Sequence, residues 1–154
     1  MTSDPQRHRY FEDYAIGDRF STETYTLTRA EIVAFAEHYD PQAIHLDDAA
    51  ARDGFFGALT SSGWLTAALS MRLFIRAGIM PDRGAVGAGL DRLRWTHPVY
   101  PGDTLRVDGQ ILRTKADARR HIGHLRIEMK TYNQHDRVVM TQIALCLIDR
   151  RPQA

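Results

Sequence analysis

The feature that most constrains the fold is residues 64–77, a helix candidate that is apolar on nearly every side through Leu65, Ala67, Ala68, Leu69, Met71, Leu73, Phe74 and Ile75. A helix that is apolar all round has to be covered all round, so the rest of the chain must wrap it. Its charges, Arg72 and Arg76, are four residues apart and share one face, which is expected to reach the surface or an interface. A chain of 154 residues has room for one such core and would be hard pressed to hold a second.

The sequence after this helix supplies the wrapping. Leu105, Val107 and Ile111 alternate with Arg106, Asp108 and Gln110, and Leu125, Ile127 and Met129 alternate with Arg126, Glu128 and Lys130. That period of two belongs to half-buried strands. Residues 133–136 read as a turn. Residues 137–148 read as a last strand, with Val139, Ile143, Leu145 and Leu147 on one face and Val138, Met140, Ala144, Cys146 and Ile148 on the other. A strand apolar on both faces is expected to be covered on both. The segment Pro98-Val99-Tyr100-Pro101-Gly102-Asp103 is the turn that introduces this half.

Upstream, residues 1–10 read as a flexible arm and residues 11–150 as a single domain. Residues 21–28 are rich in Thr, Tyr and Leu and predict a strand. Thr28-Arg29-Ala30-Glu31 has the spacing of a capping box, with Leu27 and Ile32 available as its hydrophobic staple. Ile32, Phe35, Ala36 and Tyr39 then form one face of a short helix, which Pro41 ends because the residue before a proline disfavours helical geometry. Asp40 and His45 therefore fall on an irregular segment just beyond a capped helix. Between Gly54 and Gly63 the chain is small and flexible in character (Gly57, Ser61, Ser62). The predicted architecture is α+β, one long buried helix wrapped by a curved antiparallel sheet. Such a sheet leaves edges and a face open, which points to a dimer.

Composition narrows the function. Twenty Lys and Arg against nineteen Asp and Glu leave a net charge of +1, which gives no reason to expect nucleic acid or an anionic membrane as partner. The single cysteine, Cys146, rules out an intrachain disulfide and a multi-cysteine zinc site, and its alternation with apolar residues places it in the core. No apolar stretch approaches membrane-spanning length, and residues 1–10 lack the apolar stretch of a secretory signal, so a cytoplasmic protein is expected. His121 and His124, three apart in a predicted strand, would face opposite ways and make a poor metal pair. His38 is expected to face solvent on the short helix, and His97 belongs to the turn. No phosphate-cradling loop, dinucleotide fingerprint or nucleophile elbow is present, so no cofactor or metal is implied.

The most informative segment is Phe35-Ala36-Glu37-His38-Tyr39-Asp40-Pro41-Gln42-Ala43-Ile44-His45-Leu46-Asp47. Asp40 and His45 are five apart on a proline-bent path and can turn back toward one another. A histidine exchanges protons near neutral pH, and a nearby carboxylate fixes its tautomer or shares the work. On residue chemistry alone the plainer reading has Asp40 capping a turn and His45 packing in a loop.

This segment resembles the signature of the MaoC-like hydratases, the (R)-specific or type 2 enoyl-CoA hydratases, whose pattern runs Asp, any residue, Asn, Pro, apolar, His, with an acidic residue two further on. Asp40, Ile44, His45 and Asp47 match, whereas Gln42 and Ala43 stand where Asn and Pro are usual. Tyr14-Ala15-Ile16-Gly17-Asp18, Ser61-Ser62-Gly63-Trp64 and Arg94-Trp95-Thr96-His97-Pro98-Val99-Tyr100-Pro101-Gly102-Asp103 also fall in the family's order.

The resemblance implies a hot-dog fold and a homodimer with the acyl-CoA thioester in a tunnel at the subunit interface. It implies reversible hydration of a trans-2-enoyl thioester, with Asp40 and His45 activating one water. The enolate that forms needs donors where its charge develops, and backbone N–H groups at a helix N-terminus supply them. Gly63, opening the buried helix, is the residue expected there, although close helix packing explains a glycine equally well. Ser62 is placed to touch the substrate or to cap the helix, the cap being the simpler role. Trp64, with Phe55 and Phe56, puts bulk near the expected substrate tunnel. Two other readings stay open: an acyl-CoA thioesterase on the same fold, and a non-catalytic partner subunit of a heterodimeric dehydratase.

Overall fold

The computed structural model of the chain describes residues 9–152. A short 3-10 turn, Phe11–Asp13, precedes two small strands, β1 (Arg19–Ser21) and β2 (Tyr25–Thr26). Three helices follow: α1 (Arg29–Tyr39), α2 (Ala43–Leu46) and α3 (Asp48–Arg52). The central helix α4 (Gly63–Arg76) leads into four long strands, β3 (Val86–Trp95), β4 (Thr104–Asp117), β5 (Ile122–Tyr132) and β6 (Val138–Asp149). The strands form one antiparallel sheet in the order β1-β4-β5-β6-β3, with β2 also paired to β4. This is the α+β hot-dog arrangement expected, one helix packed against an open antiparallel sheet.

The alternation read in β5 is realised along its whole length, with Leu125, Ile127 and Met129 buried. Leu73 and Phe74 of α4 pack with these residues and with Val107, Ile111 and Ile148. Leu65 and Leu69, nearer the start of α4, pack with Leu27, Ile32, Leu59, Val99 and Val139 in a second cluster. One helix therefore joins both halves of the core, and each buried side chain of the size of Leu69 or Phe74 contributes about 1.5–3 kcal/mol.

The expectation that α4 is covered on every side is corrected. Trp64, Met71 and Ile75 are exposed, at 58%, 40% and 51%, because the sheet covers one side of the helix and does not close around the other. The second face of β6 is likewise incompletely covered, with Leu145 and Leu147 only half-buried.

The predicted strand over 21–28 is two shorter pieces. The Thr22 hydroxyl accepts from the Val107 N–H at 2.9 Å, so a side chain takes a ladder position and the backbone departs from regular pairing. Strand β3 was not legible in the sequence: Gly87 and Gly89 break the alternation, Arg92 adopts a left-handed φ of 52°, and register shifts occur at both places. His121 lies in the turn between β4 and β5 with φ 55°, not in a strand as read from the sequence.

The capping box is formed as expected. Thr28 Oγ1 accepts from the Glu31 N–H, and Glu31 Oε2 accepts from the Thr28 N–H at 2.9 Å. Leu27 and Ile32 are both fully buried in one cluster, as a staple requires. Tyr39 departs from the expected apolar face: it is exposed, lies beyond the cluster that holds Ile32, and packs tilted against the Phe35 ring with centroids 5.0 Å apart.

The turn of residues 98–103 ties these parts together. Asp103 accepts from the Tyr100 N–H and from Gln134 Nε2, each at 2.8 Å, while Gly102 takes a left-handed φ of 88°. Its backbone pairs with Leu27 just before α1, and Val99 O accepts from the Ser61 N–H just before α4. The start of α1 and the start of α4 are thereby fixed relative to one another.

Residues 1–8 of the predicted arm lie outside the described residues. Arg9 donates to Ile79 O at 3.0 Å, and the Arg151 guanidinium lies over the Tyr10 ring. Among the described residues, no helix is long and apolar enough to cross a membrane.

Candidate active site

Asp40 is the residue on which α1 ends. Its N–H still bonds to Ala36 O at 3.0 Å, but Pro41 prevents another helical turn and the backbone swings to φ −153°, ψ 67°. The Gln42 N–H then bonds to Asp40 O and the His45 N–H to Gln42 O, which winds residues 43–46 into the single turn of α2. His45 thus sits on a helical turn and not on the irregular segment expected. The tight reversal brings His45 Nε2 to 3.3 Å from Asp40 Oδ2.

The environment assigns each group a state. His45 is 5% exposed, and its Nδ1 lies 2.7 Å from Thr60 O. A carbonyl oxygen only accepts, so Nδ1 carries the proton, and in the neutral ring Nε2 presents a lone pair. Asp40 Oδ2 accepts from Ser62 Oγ at 2.6 Å, and Oδ1 accepts from Gln42 Nε2 at 2.7 Å. The Ser62 bond most of all, then the Gln42 bond and the charge of His45, hold the Asp40 carboxyl below its ordinary value, outweighing burial, which pushes it up. The Asp40 carboxylate and His45 Nε2 thus face one another across 3.3 Å, two proton-handling groups aimed at one small space.

Ser62 has a different place from the one expected of a substrate contact. It is fully buried, it caps α4 by accepting from the Trp64 N–H at 3.2 Å, and it donates to Asp40. Its one O–H is committed to Asp40, and the residue is not part of the cavity wall.

Gly63 is the first residue of α4, and among the described residues its N–H has no hydrogen-bond partner. A Cβ built there would lie 2.6 Å from Trp95 Cε2, so an indole packs directly on the glycine, and Trp95 Nε1 donates to Gly63 O at 2.7 Å. Glycine is required for this packing whether or not the N–H has a chemical role.

All these groups except Ser62 open on one cavity of about 520 Å³, whose walls include Asp40, Gln42, His45, Gly63 and Trp64. Phe55 and Phe56, edge to face at 5.0 Å, stand on its rim, and Trp64 meets Trp95 edge to face at 5.2 Å. The site brings together the expected Asp40, His45, Gly63 and Trp64.

His97, expected only as part of the turn, also lines the cavity. It is exposed and held by an Nδ1 contact of 2.8 Å to Val138 O. Its signal was its place directly after Trp95-Thr96. Thr60, which fixes the His45 tautomer, does so through a backbone carbonyl and left no signal in the side-chain pattern. His38 faces solvent as expected, and Cys146 is buried in the core, where burial raises its thiol pKa.

The chain has relatives among known proteins. A family model described as a MaoC like domain matches residues 12–134. The chain is 32% identical over 125 residues to the uncharacterised protein YdeM of Bacillus subtilis, covering 81% of this chain and 88% of that one. It superposes on the MaoC-like dehydratase from Rhodospirillum rubrum with a TM-score of 0.88 and 39% identity, over 94% of this chain and 99% of the other. The R-hydratase PhaJ1 from Pseudomonas aeruginosa shares the fold, with a TM-score of 0.74 at 24% identity over 92% of this chain and 86% of that one.

Proposed function

Because the chain belongs to the MaoC-like domain family, we propose that it is a hydro-lyase that reversibly adds water to a trans-2-enoyl-CoA thioester, giving the (R)-3-hydroxyacyl-CoA. The observation that carries this reading is the 3.3 Å approach of Asp40 Oδ2 to His45 Nε2, with Nδ1 committed to Thr60 O. A thioesterase needs a carboxylate beside a helix N-terminus but has no use for a histidine fixed in this tautomer.

The chemistry follows from the two states. A water in the cavity donates one proton toward Nε2 and the other toward Oδ2. As the water oxygen bonds to Cβ of the enoyl group, its proton passes to His45 Nε2. The π electrons move onto the thioester as an enolate, whose oxygen takes the free Gly63 N–H at the positive end of the α4 dipole. The imidazolium, stabilised by anionic Asp40, then gives its proton to Cα, which completes the addition and restores neutral His45. Dehydration is the same path reversed.

The assembly that fits is a homodimer. The exposed stripe Trp64, Met71 and Ile75 on α4, and the edge strand β3 with Val86 and Leu90 exposed, are apolar surfaces that a second copy would cover. The net charge of +1 gives no reason to expect nucleic acid as a partner, and among the described residues no helix is long and apolar enough to cross a membrane.

Crotonyl-CoA tests the reading. Loss of the enoyl absorbance with formation of (R)-3-hydroxybutanoyl-CoA and no free thiol is the expected result. Thiol release in place of hydration would make the protein a thioesterase.

A further inference from the structure

Asp40 has two oxygens, and the hydro-lyase chemistry uses Oδ2. Oδ2 meets Ser62 Oγ at 2.6 Å and His45 Nε2 at 3.3 Å. Oδ1 meets one group, the Gln42 side-chain amide, at 2.7 Å. The terminal torsion of an aspartate is broad and nearly two-fold, so a carboxylate held at one oxygen alone can swing its plane. Held at both, it cannot.

From this geometry, and resting on the hydro-lyase reading, we infer that Gln42 is a positioning residue: its amide clamps Asp40 Oδ1 and keeps Oδ2 turned toward His45 and the reacting water. Gln42 is the N-cap of α2, but its side chain makes no capping hydrogen bond, so the amide is free for Asp40. The side chain belongs to neither core cluster and lines the cavity. The bond is exposed to solvent in the open cavity, and a thioester filling that cavity would shield and strengthen it. The reversal of chain at Pro41 makes this reach possible, with the Gln42 N–H on Asp40 O at 2.7 Å setting the side chain alongside its partner.

The groups facing Asp40 are few. His45 on α2 is the titratable one, Ser62 at the start of α4 and Gln42 are neutral donors, and His97 stands elsewhere on the cavity wall. Removing the Gln42 donor weakens the hold on the ionised form, so Asp40 should titrate at higher pH. The direction agrees with the contribution of Gln42 to keeping that carboxyl low.

The test compares wild type with Gln42→Met, which keeps the length and loses the donor, and with Gln42→Asn, which keeps an amide on a shorter arm. With crotonyl-CoA, Gln42→Met should lower kcat by about tenfold, the size of one charge-assisted hydrogen bond, and leave KM within about twofold. Gln42→Asn should fall between the two. The acid limb of kcat/KM should move to higher pH, as should the Asp40 carboxyl titration followed by carbon NMR, which needs no turnover. Wild-type kcat and an unmoved Asp40 titration in Gln42→Met overturn the clamp. So does a fall in kcat that tracks a lower melting temperature with no titration shift. A wild-type protein that hydrates no enoyl-CoA contradicts the hydro-lyase reading instead, and the NMR titration still decides the clamp.

Discussion

Ser62 Oγ lies 2.6 Å from Asp40 Oδ2, so the residue that caps the central helix also holds the carboxylate of the site. One hydroxyl accepts from the Trp64 N–H and donates to Asp40. The end of α1 and the start of α4 are thereby joined at the point where chemistry is proposed. The free N–H of Gly63 is the next residue along.

Replacing Ser62 with alanine should therefore have two effects from one atom. Loss of the cap costs about 1–2 kcal/mol of stability, measurable by urea unfolding. Loss of the donor lets the Asp40 pKa rise, and hydration of crotonyl-CoA should slow by roughly tenfold with its acid limb moved to higher pH. Ser62→Thr keeps the hydroxyl and should recover much of both.

The lowered Asp40 pKa also makes stability depend on pH in a definite direction. Its folded value lies below the ordinary 3.8, so the folded state binds the proton more weakly than the unfolded chain. The stabilisation from Asp40 is present in full above about pH 5 and is lost as pH falls through the folded value. The difference in unfolding free energy between wild type and Asp40→Asn should be flat above that point and shrink below about pH 4. A difference that grows as the pH falls would contradict it.

Gly63 serves packing and is proposed to serve catalysis, and the two roles are separable. Gly63→Ala keeps the N–H but sets a Cβ 2.6 Å from the Trp95 indole, an overpacking expected to cost about 1–3 kcal/mol. Gly63→Ala with Trp95→Leu relieves that contact and should melt above the single Gly63→Ala variant. If the single variant melts like wild type, the close approach of Trp95 is not what fixes glycine there.

The exposed apolar stripe on α4 gives an oligomer prediction. Met71→Lys or Ile75→Glu should shift the protein from dimer to monomer in sedimentation while leaving the far-ultraviolet circular dichroism unchanged, since both side chains are exposed in the single chain. Wild type that sediments as a monomer would remove the proposed homodimer.

Legibility in the sequence followed how local each determinant was. Thr28 and Glu31, and the alternation of Leu125, Ile127 and Met129, act within a few residues, and they formed as read. Strand β3 did not announce itself, because its pairing with β6 tolerates glycines and a left-handed Arg92 that erase the period. Burial around α4 was overestimated for another reason: apolar residues that pack in the core and those, such as Met71 and Ile75, that stay exposed in the single chain look alike in sequence. At the site, Asp40 and His45 were visible as residue types. Their states depend on Ser62, Gln42 and the Thr60 carbonyl, and two of these three reach the pair only after the chain has folded back from positions 60 and 62.

The most direct measurement is the hydration rate of crotonyl-CoA by Asp40→Asn and His45→Ala, each shown to be folded by circular dichroism. Both groups are proposed to handle protons in the transition state, so each variant should fall by about a thousandfold, within the range general acid–base groups supply. Wild-type rates in either variant would contradict the proposed pair.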